Sequence, residues 1–317
     1  MRVLVTGGGG FIGSALVVEL LSRQHTVACL VRRPDAVPAD LPWLGRVEVI
    51  HGDLSSPAGW AEKVASWRPD GCVHAAWFTD PATYLQAEEN VWLLESSLGL
   101  ITALAAARCR QAVFLGTCAE YETSDSEALT ESSPLRPTTL YASSKVALEL
   151  LGRRRAEAAG IRFAWARLFH PYGPREKPGR LIPSAALALS EGRTFTSLNP
   201  DARRDFIHVD DVAAAIASLL DAGSEGPYNI STGRATSVRD ALDLLAAAAG
   251  RVELLDFGSQ PRQDWDPGSV YGSNDRLAAA TGWKPRIMLA DGLASTYAWW
   301  AGQQITRDAG GSSAASR

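Results

Sequence analysis

Residues 6–14 read Thr-Gly-Gly-Gly-Gly-Phe-Ile-Gly-Ser and stand between the apolar run Val3 to Thr6 and a helical pattern from Ile12 to Ser22. That order predicts a strand, a tight turn and a helix folded back on the strand. In the spacing GxxGxxG, Gly7 permits the turn, Gly10 lets the backbone approach a pyrophosphate, and Gly13 lets the helix pack on the strand. A merely flexible turn is the alternative, and the flanking strand and helix disfavour it.

Downstream, apolar β-branched runs alternate with helical patterns. The expected strands are Val3 to Thr6, Thr26 to Val31, Val47 to His51, Gly71 to His74, Ala112 to Leu115 and Phe163 to Arg167. The helices between them are Ile12 to Ser22, Gly59 to Trp67, Glu88 to Ala107 and Tyr141 to Ala159. This rhythm predicts an α/β fold with a doubly wound parallel sheet covered on both faces. After Arg167 the closely spaced Pro171, Pro174, Pro178 and Pro183 break the pattern. We therefore expect a dinucleotide-binding domain over 1–170 and a smaller, interrupted substrate lobe over 171–205 and 223–305. The segment 206–222 should return to the first domain, and 306–317 should be a disordered tail.

Composition narrows the function classes. A chain of 317 residues, 46% hydrophobic, can bury one large core with a smaller lobe attached. The 31 basic and 35 acidic side chains are dispersed and sum to −4, which speaks against nucleic acid as a partner. Arg153 to Arg155, the one basic cluster, lies on a helical pattern and is expected to be a solvated face. The five histidines lack metal-ligand spacing, so no metal is expected. Cys29, Cys72, Cys109 and Cys118 lack CxxC spacing and fit free thiols in a reducing cytoplasm. No apolar run approaches the ~20 residues of a membrane helix. Gly7 to Gly10 interrupts the N-terminal apolar stretch too early for a secretion signal.

Two further features point to chemistry. The end of the second strand should carry an acid for a ribose 2′-hydroxyl, but Val31 is followed by Arg32 and Arg33. Their guanidinium groups suit a 2′-phosphate or an adenine face, which favours NADP(H) over NAD; two solvent-exposed loop arginines are the alternative. Tyr141-Ala-Ser-Ser-Lys145 puts a phenol and an ammonium on one face of a helix. Lys145 is expected to lower the phenol pKa from about 10 towards neutrality and to hold a ribose. Thr117 follows the strand Ala112 to Leu115, at the carboxyl edge where doubly wound folds bind substrates.

Taken in order, TGGGGFIG, HGDL at 51–54, VHAAW at 73–77, GTCAEY at 116–121, YASSK, RLFHPYGPRE at 167–176, RRDFIHVDDVA at 203–213, YNIS at 228–231 and GWKP at 282–285 span nearly the whole chain. Together they resemble the extended short-chain dehydrogenase/reductase family of NAD(P)-dependent nucleotide-sugar epimerases, dehydratases and reductases. The resemblance implies that Gly7, Gly10, Phe11, Ile12 and Gly13 cradle the pyrophosphate. It implies that Asp53 and Leu54 flank adenine, that Ala75 and Ala76 line the cofactor groove, and that Lys145 holds the ribose. Thr117 would hydrogen-bond the reacting sugar oxygen and Tyr141 would move its proton. Arg204 and Arg262 match positions that bind the nucleotide-sugar diphosphate, with ion pairs to Asp205 or Asp264 as the structural alternative. A homodimer through Glu88 to Ala107 and Tyr141 to Ala159 is also implied; Leu148 and Leu151 are either its apolar edge or core.

Departures from the family pattern narrow the reaction. Dehydratases carry an Asp-Glu pair after the catalytic Thr, where this chain has Cys118 and Ala119. His170 replaces a frequent Asn at a substrate contact. Glu120 is either a polar group in the pocket or a capping residue. The expected function is NADPH-dependent 4-ketoreduction of an NDP-4-keto-6-deoxyhexose. The runner-up is an NAD-dependent nucleotide-sugar 4-epimerase. A non-catalytic NADP-sensing protein is the reading from another class, disfavoured because Thr117, Tyr141 and Lys145 are all in place.

Overall fold

Along the first strand, Val3 and Val5 belong to one apolar layer and Leu4 to another. A strand can be apolar on both faces only if something covers both. The computed structural model, which describes residues 1–33, 37–123, 127–258 and 268–312, has helices on each side.

The first half runs β1 (Arg2–Thr6), α1 (Phe11–Ser22), β2 (Thr26–Val31), β3 (Glu48–His51), α2 (Ala61–Trp67), β4 (Gly71–His74), α3 (Glu89–Ala106), β5 (Gln111–Thr117), α4 (Leu140–Ala158), β6 (Arg162–Leu168) and β7 (His170–Tyr172). It continues through α5 (Leu181–Ser190), β8 (Phe195–Ser197), β9 (Arg203–Arg204), β10 (Phe206–His208), α6 (Val209–Asp221), β11 (Gly226–Ile230), β12 (Thr236–Ser237), α7 (Val238–Ala249), β13 (Leu255–Phe257), β14 (Ser269–Val270), α8 (Asp275–Thr281) and α9 (Leu289–Ser312). The strands and helices expected before residue 170 are present, with ends shifted by at most two residues. The main sheet has seven parallel strands in the order β11-β6-β5-β4-β1-β2-β3, so the strand order reverses between β4 and β1. One face packs on α1 and α6 through Leu16, Leu20, Ile216 and Leu220. The other packs on α2, α3 and α4 through Val64, Leu100, Leu104 and Leu148.

Three expectations about the second half need correction. The strand at Phe206 does not rejoin the main sheet: β10 pairs with β7 in a sheet of its own. Only the following helix, α6, returns to cover the large sheet. The seventh strand is instead β11, which falls in the stretch expected to be substrate lobe. Gly226 and Pro227 hide it in the sequence, but it sits at the sheet edge, where a proline's missing donor costs no ladder bond. At the C-terminus, α9 is helical to Ser312, beyond the expected fold boundary at 305. Extending a helix already docked at Leu293 and Trp300 is far cheaper than nucleating one.

The second lobe gathers α5, α7 and α9 around Ile182, Leu189, Leu242, Leu245, Leu293 and Trp300. Ser237 caps α7 by accepting from the Asp240 amide at 2.9 Å. Asp211, in the first turn of α6, accepts from the amides of Arg286 and Ile287, just after the 282–285 segment, and ties them to the large domain. Arg153, Arg154 and Arg155 are exposed. The four cysteines are free and buried. Among the described residues, no helix is long and apolar enough to cross a membrane.

Ile216 is fully buried between α6 and the sheet. Ile216→Ala is therefore expected to cost about 2–5 kcal/mol, read as a lower denaturation midpoint at an unchanged slope. An unshifted midpoint would contradict the packing of α6 as part of the main core.

Candidate active site

The glycine turn is held by contacts that leave no room for a side chain. Gly7 has φ +74°, and a Cβ there would lie 2.7 Å from the Ala76 nitrogen. At Gly13 it would lie 2.0 Å from the Gly7 carbonyl oxygen, so helix and turn could not close. Gly10 donates its amide to the Gly7 carbonyl at 2.9 Å and caps α1 with no side chain. The first-turn amides of α1 therefore face the turn without an internal side-chain acceptor, which is the arrangement that receives a phosphate. Phe11 and Ile12 form that first turn.

A hydrogen-bonded thread fixes this turn against the exit of β4. Ser97 donates its hydroxyl to the Leu93 carbonyl, so at 2.8 Å it accepts from His74 Nε2. His74 Nδ1 is then the acceptor of the Thr6 hydroxyl at 2.7 Å, and Thr6 Oγ1 in turn accepts from the Ala76 amide at 3.3 Å. Burial, reinforced by the Lys145 charge, pushes His74 down to about 3, so it stays neutral and keeps this tautomer. Ala75 and Ala76 thus line the groove beside Gly7.

Thr117 ends β5 and Tyr141 lies in the first turn of α4. Thr139 caps α4 by accepting from the Ala142 amide at 3.1 Å, which sets where the helix starts. The Thr117 side chain lies close enough to the Tyr141 phenol to pull its pKa down against burial. Lys145 is 4% exposed; its Nζ donates to the Leu115 carbonyl at 2.7 Å and lies 3.6 Å from the centre of the Trp77 ring. The expectation that Lys145 lowers the phenol pKa is not met. Burial raises Tyr141 well above 10, opposed only by the Thr117 contact. The ammonium, 6.0 Å from the Tyr141 ring centre, is engaged by Leu115 and Trp77 instead, and burial lowers it to about 7 against the pull of Glu120.

A wall from the second lobe completes the cleft. His170 is lowered to about 3 by burial and by the charges of Arg204 and Arg180, and its Nδ1 is buried with no hydrogen-bond partner among the described residues. Arg204, on β9, also acts electrostatically on Cys118, the residue after Thr117. Asp205 does not face it: its carboxylate accepts from the Thr232 and Gly233 amides at 2.7 and 3.0 Å. Arg262 and Asp264 lie outside the described residues. Sequence reasoning missed Tyr84 and Arg180. Arg180 stands over the Tyr84 ring and donates to its hydroxyl, and Tyr84 meets the Tyr141 ring edge-on at 5.0 Å. No local spacing could flag them, because residue 84 is far from both 141 and 180 in the chain. Trp77 lies inside the VHAAW motif, but nothing in its spacing signals the contact with Lys145.

At the other end of the cleft, Arg32 and Arg33 follow β2 and are exposed. Asp53 accepts from the amide and hydroxyl of Ser55 at 2.9 and 2.7 Å, a turn that Leu54 sits within. Burial pushes the Asp53 carboxyl up, but Ser55 and the nearby Arg32 charge together hold it below the usual range. Glu120 settles as a capping residue and not a pocket group. It is fully buried, and its carboxylate accepts from the Thr117 amide at 2.7 Å and from Arg167. Leu148 is core, whereas Leu151 is 51% exposed. Among the described residues, no group of His, Cys, Asp and Glu could hold a metal ion.

The chain as a whole has known counterparts. A family model described as the NAD dependent epimerase/dehydratase family matches residues 3–231. A dTDP-glucose 4,6-dehydratase of Streptomyces griseus is 30% identical, covering 94% of this chain and 94% of that protein. A GDP-6-deoxy-D-mannose reductase of Pseudomonas aeruginosa is 29% identical over 94% of this chain and 97% of its own. Among solved structures, the UDP-glucose 4-epimerase of Thermus thermophilus in complex with NAD matches with a TM-score of 0.81 at 29% identity, over 95% of this chain and 99% of that one.

The buried lysine makes stability depend on pH in a fixed direction. Folded, Lys145 releases its proton near 7; unfolded, it keeps it to about 10.4. Between those values the unfolded chain binds more protons, so this group's contribution to stability rises with pH. Without added nucleotide, Lys145→Met is expected to flatten the stability curve across that window by up to ~1.4 kcal/mol per pH unit. Parallel curves for the two proteins would contradict the assignment.

Proposed function

Within the NAD dependent epimerase/dehydratase family, to which this chain belongs, we propose that it is an NADPH-dependent ketoreductase of a nucleotide-linked keto-sugar, an NDP-4-keto-6-deoxyhexose 4-ketoreductase. The family and its relatives make the chain an NAD(P)-dependent enzyme of nucleotide-sugar chemistry. Those relatives include a dehydratase, a reductase and an epimerase, so overall likeness does not choose among the reactions.

The observation that carries the choice is the exposed pair Arg32 and Arg33 beyond β2, where a ribose-binding acid is absent. Paired guanidinium groups read a 2′-phosphate, and reading it benefits an enzyme that draws fresh reduced coenzyme each turnover. Cys118 and Ala119 lack the acid and base that elimination of water requires.

The glycine turn, Asp53, Leu54, Ala75 and Ala76 fit a nicotinamide dinucleotide, because Gly7 and Gly13 let the turn close against Ala76 and α1, leaving the helix N-terminus uncapped by any side chain. Bound there, the nicotinamide supplies the hydride. The chain's own residues manage the oxygen. Burial keeps the Tyr141 phenol protonated, so it begins turnover as an acid able to protonate a developing alkoxide. Thr117, beside that phenol, would polarise the same substrate oxygen. Lys145, beside the Leu115 carbonyl and Trp77, would hold the ribose. Arg204, with His170 and with Arg262, would take the diphosphate, which suits a planar guanidinium. We further propose a cytoplasmic homodimer. Its free buried thiols suit a reducing compartment, and exposed Trp92, Leu150 and Leu151 on α3 and α4 offer an apolar contact face.

A second reading, an NAD-dependent 4-epimerase, is favoured by the whole-chain likeness to the Thermus epimerase with NAD. Following reduced-nicotinamide absorbance separates the two. With dTDP-, GDP- or CDP-linked 4-keto-6-deoxyhexoses, we expect stoichiometric NADPH consumption, a preference over NADH, and loss of that preference in Arg32→Ala/Arg33→Ala. Conversion of a 4-hydroxy nucleotide-sugar to its epimer, with NAD co-purifying and no net coenzyme change, would replace the reductase by the epimerase.

A further inference from the structure

We propose that Arg167 is a positioning residue: through two buried carboxylates it ties the turn that carries Thr117 to the helix that carries Tyr141, and the rate of turnover depends on that tie. The inference rests on the reading of Tyr141 and Thr117 as the proton-handling pair.

Along β6, Phe163 and Trp165 face the apolar layer under α4. Arg167 continues the same row, with its side chain only 3% exposed. Its Nε donates to Glu120 Oε2 at 2.7 Å, and its terminal nitrogens donate to Glu149 Oε2 at 2.7 Å and to the Tyr121 hydroxyl at 2.9 Å. Glu120 passes the tie to Thr117 by accepting its backbone amide at 2.7 Å, and it is steadied by the Trp165 indole at 3.0 Å. Glu149 passes it to α4, one turn after Lys145 and two after Tyr141. Gly116 makes the fold-back possible, since a Cβ there would lie 2.6 Å from Glu120 Oε1 and 2.3 Å from the Trp165 nitrogen.

A buried ion cluster of this kind is a poor device for stability, because desolvating three charges offsets much of their attraction and apolar packing serves as well. What it supplies is directional. A guanidinium is a rigid planar fork with donors at set angles, so its two carboxylates cannot drift independently. Thr117 and Tyr141 come from separate elements and must meet within hydrogen-bond reach, and small errors in such placement reduce rate steeply. Arg167 is the link between those elements that does not itself enter the cleft.

The test uses Glu149→Leu, which cuts the tie on the helix side and leaves Arg167 paired with Glu120, and Glu149→Gln, which keeps an acceptor. Turnover is followed with NADPH and whichever dTDP-, GDP- or CDP-linked 4-keto-6-deoxyhexose the native protein reduces fastest. We expect Glu149→Leu to lower kcat roughly tenfold or more while KM for both reactants stays within about twofold, and Glu149→Gln to recover most of the loss. If the Leu variant does not fold, Arg167→Lys replaces it, since an ammonium point charge cannot reproduce the fork; the same split between kcat and KM is expected. A folded variant with native kcat, or a fall in kcat matched by the rise in KM, overturns the proposal. Tyr141→Phe, run alongside, separates the two levels. An inactive Phe variant with a fully active Leu variant removes only the tie, whereas a fully active Phe variant or an inert native protein removes the underlying reading and the tie with it.

Discussion

All seven strands of the main sheet run in one direction, which forces every β-to-α connection to one edge and every α-to-β connection to the other. The glycine turn after β1, the arginines after β2, the alanines after β4 and Thr117 at the end of β5 come from distant parts of the sequence. Parallel pairing alone brings them to the same edge, beside the point between β1 and β4 where strand order reverses. The apolar character of both strand faces makes this arrangement stable, since helices must then cover each face and leave only the edge open.

Burial then sets the protonation of the groups at that edge. Removing a charged form from water raises an acid and lowers a base. The Tyr141 phenol is accordingly held protonated, the Lys145 ammonium is brought down to about 7, and His74 stays neutral as a structural link. A phenol that retains its proton is suited to delivering it to an alkoxide, while one working first as a base would need an opposing charge close by. Lys145 Nζ is bonded to the Leu115 carbonyl and sits over the Trp77 ring, 6.0 Å from the centre of the Tyr141 ring.

Much of this architecture is legible in the sequence because it depends on local spacing. Strand period, helix period and the glycine intervals each follow from geometry within a few residues, and the YxxxK interval puts two side chains on one helical face. What escapes is set by neighbours distant in the chain. The strand at Gly226–Ile230 carries a proline that only its edge position excuses. Leu148 and Leu151 look alike in a helical pattern, yet one faces the sheet and the other faces outward. Glu120 reads equally as pocket or cap until Arg167 is seen behind it, and nothing near Tyr84 or Arg180 signals that they meet at Tyr141.

The proposed reduction consumes its coenzyme, whereas epimerisation returns it unchanged. NADPH deuterated at the transferred position, supplied with a 4-keto-6-deoxy nucleotide-sugar, tests it most directly when the product is examined by mass spectrometry and proton NMR. The account requires deuterium at the new carbinol carbon of the sugar, in proportion to the coenzyme oxidised. A product without deuterium, formed while the labelled coenzyme remains intact, would contradict it.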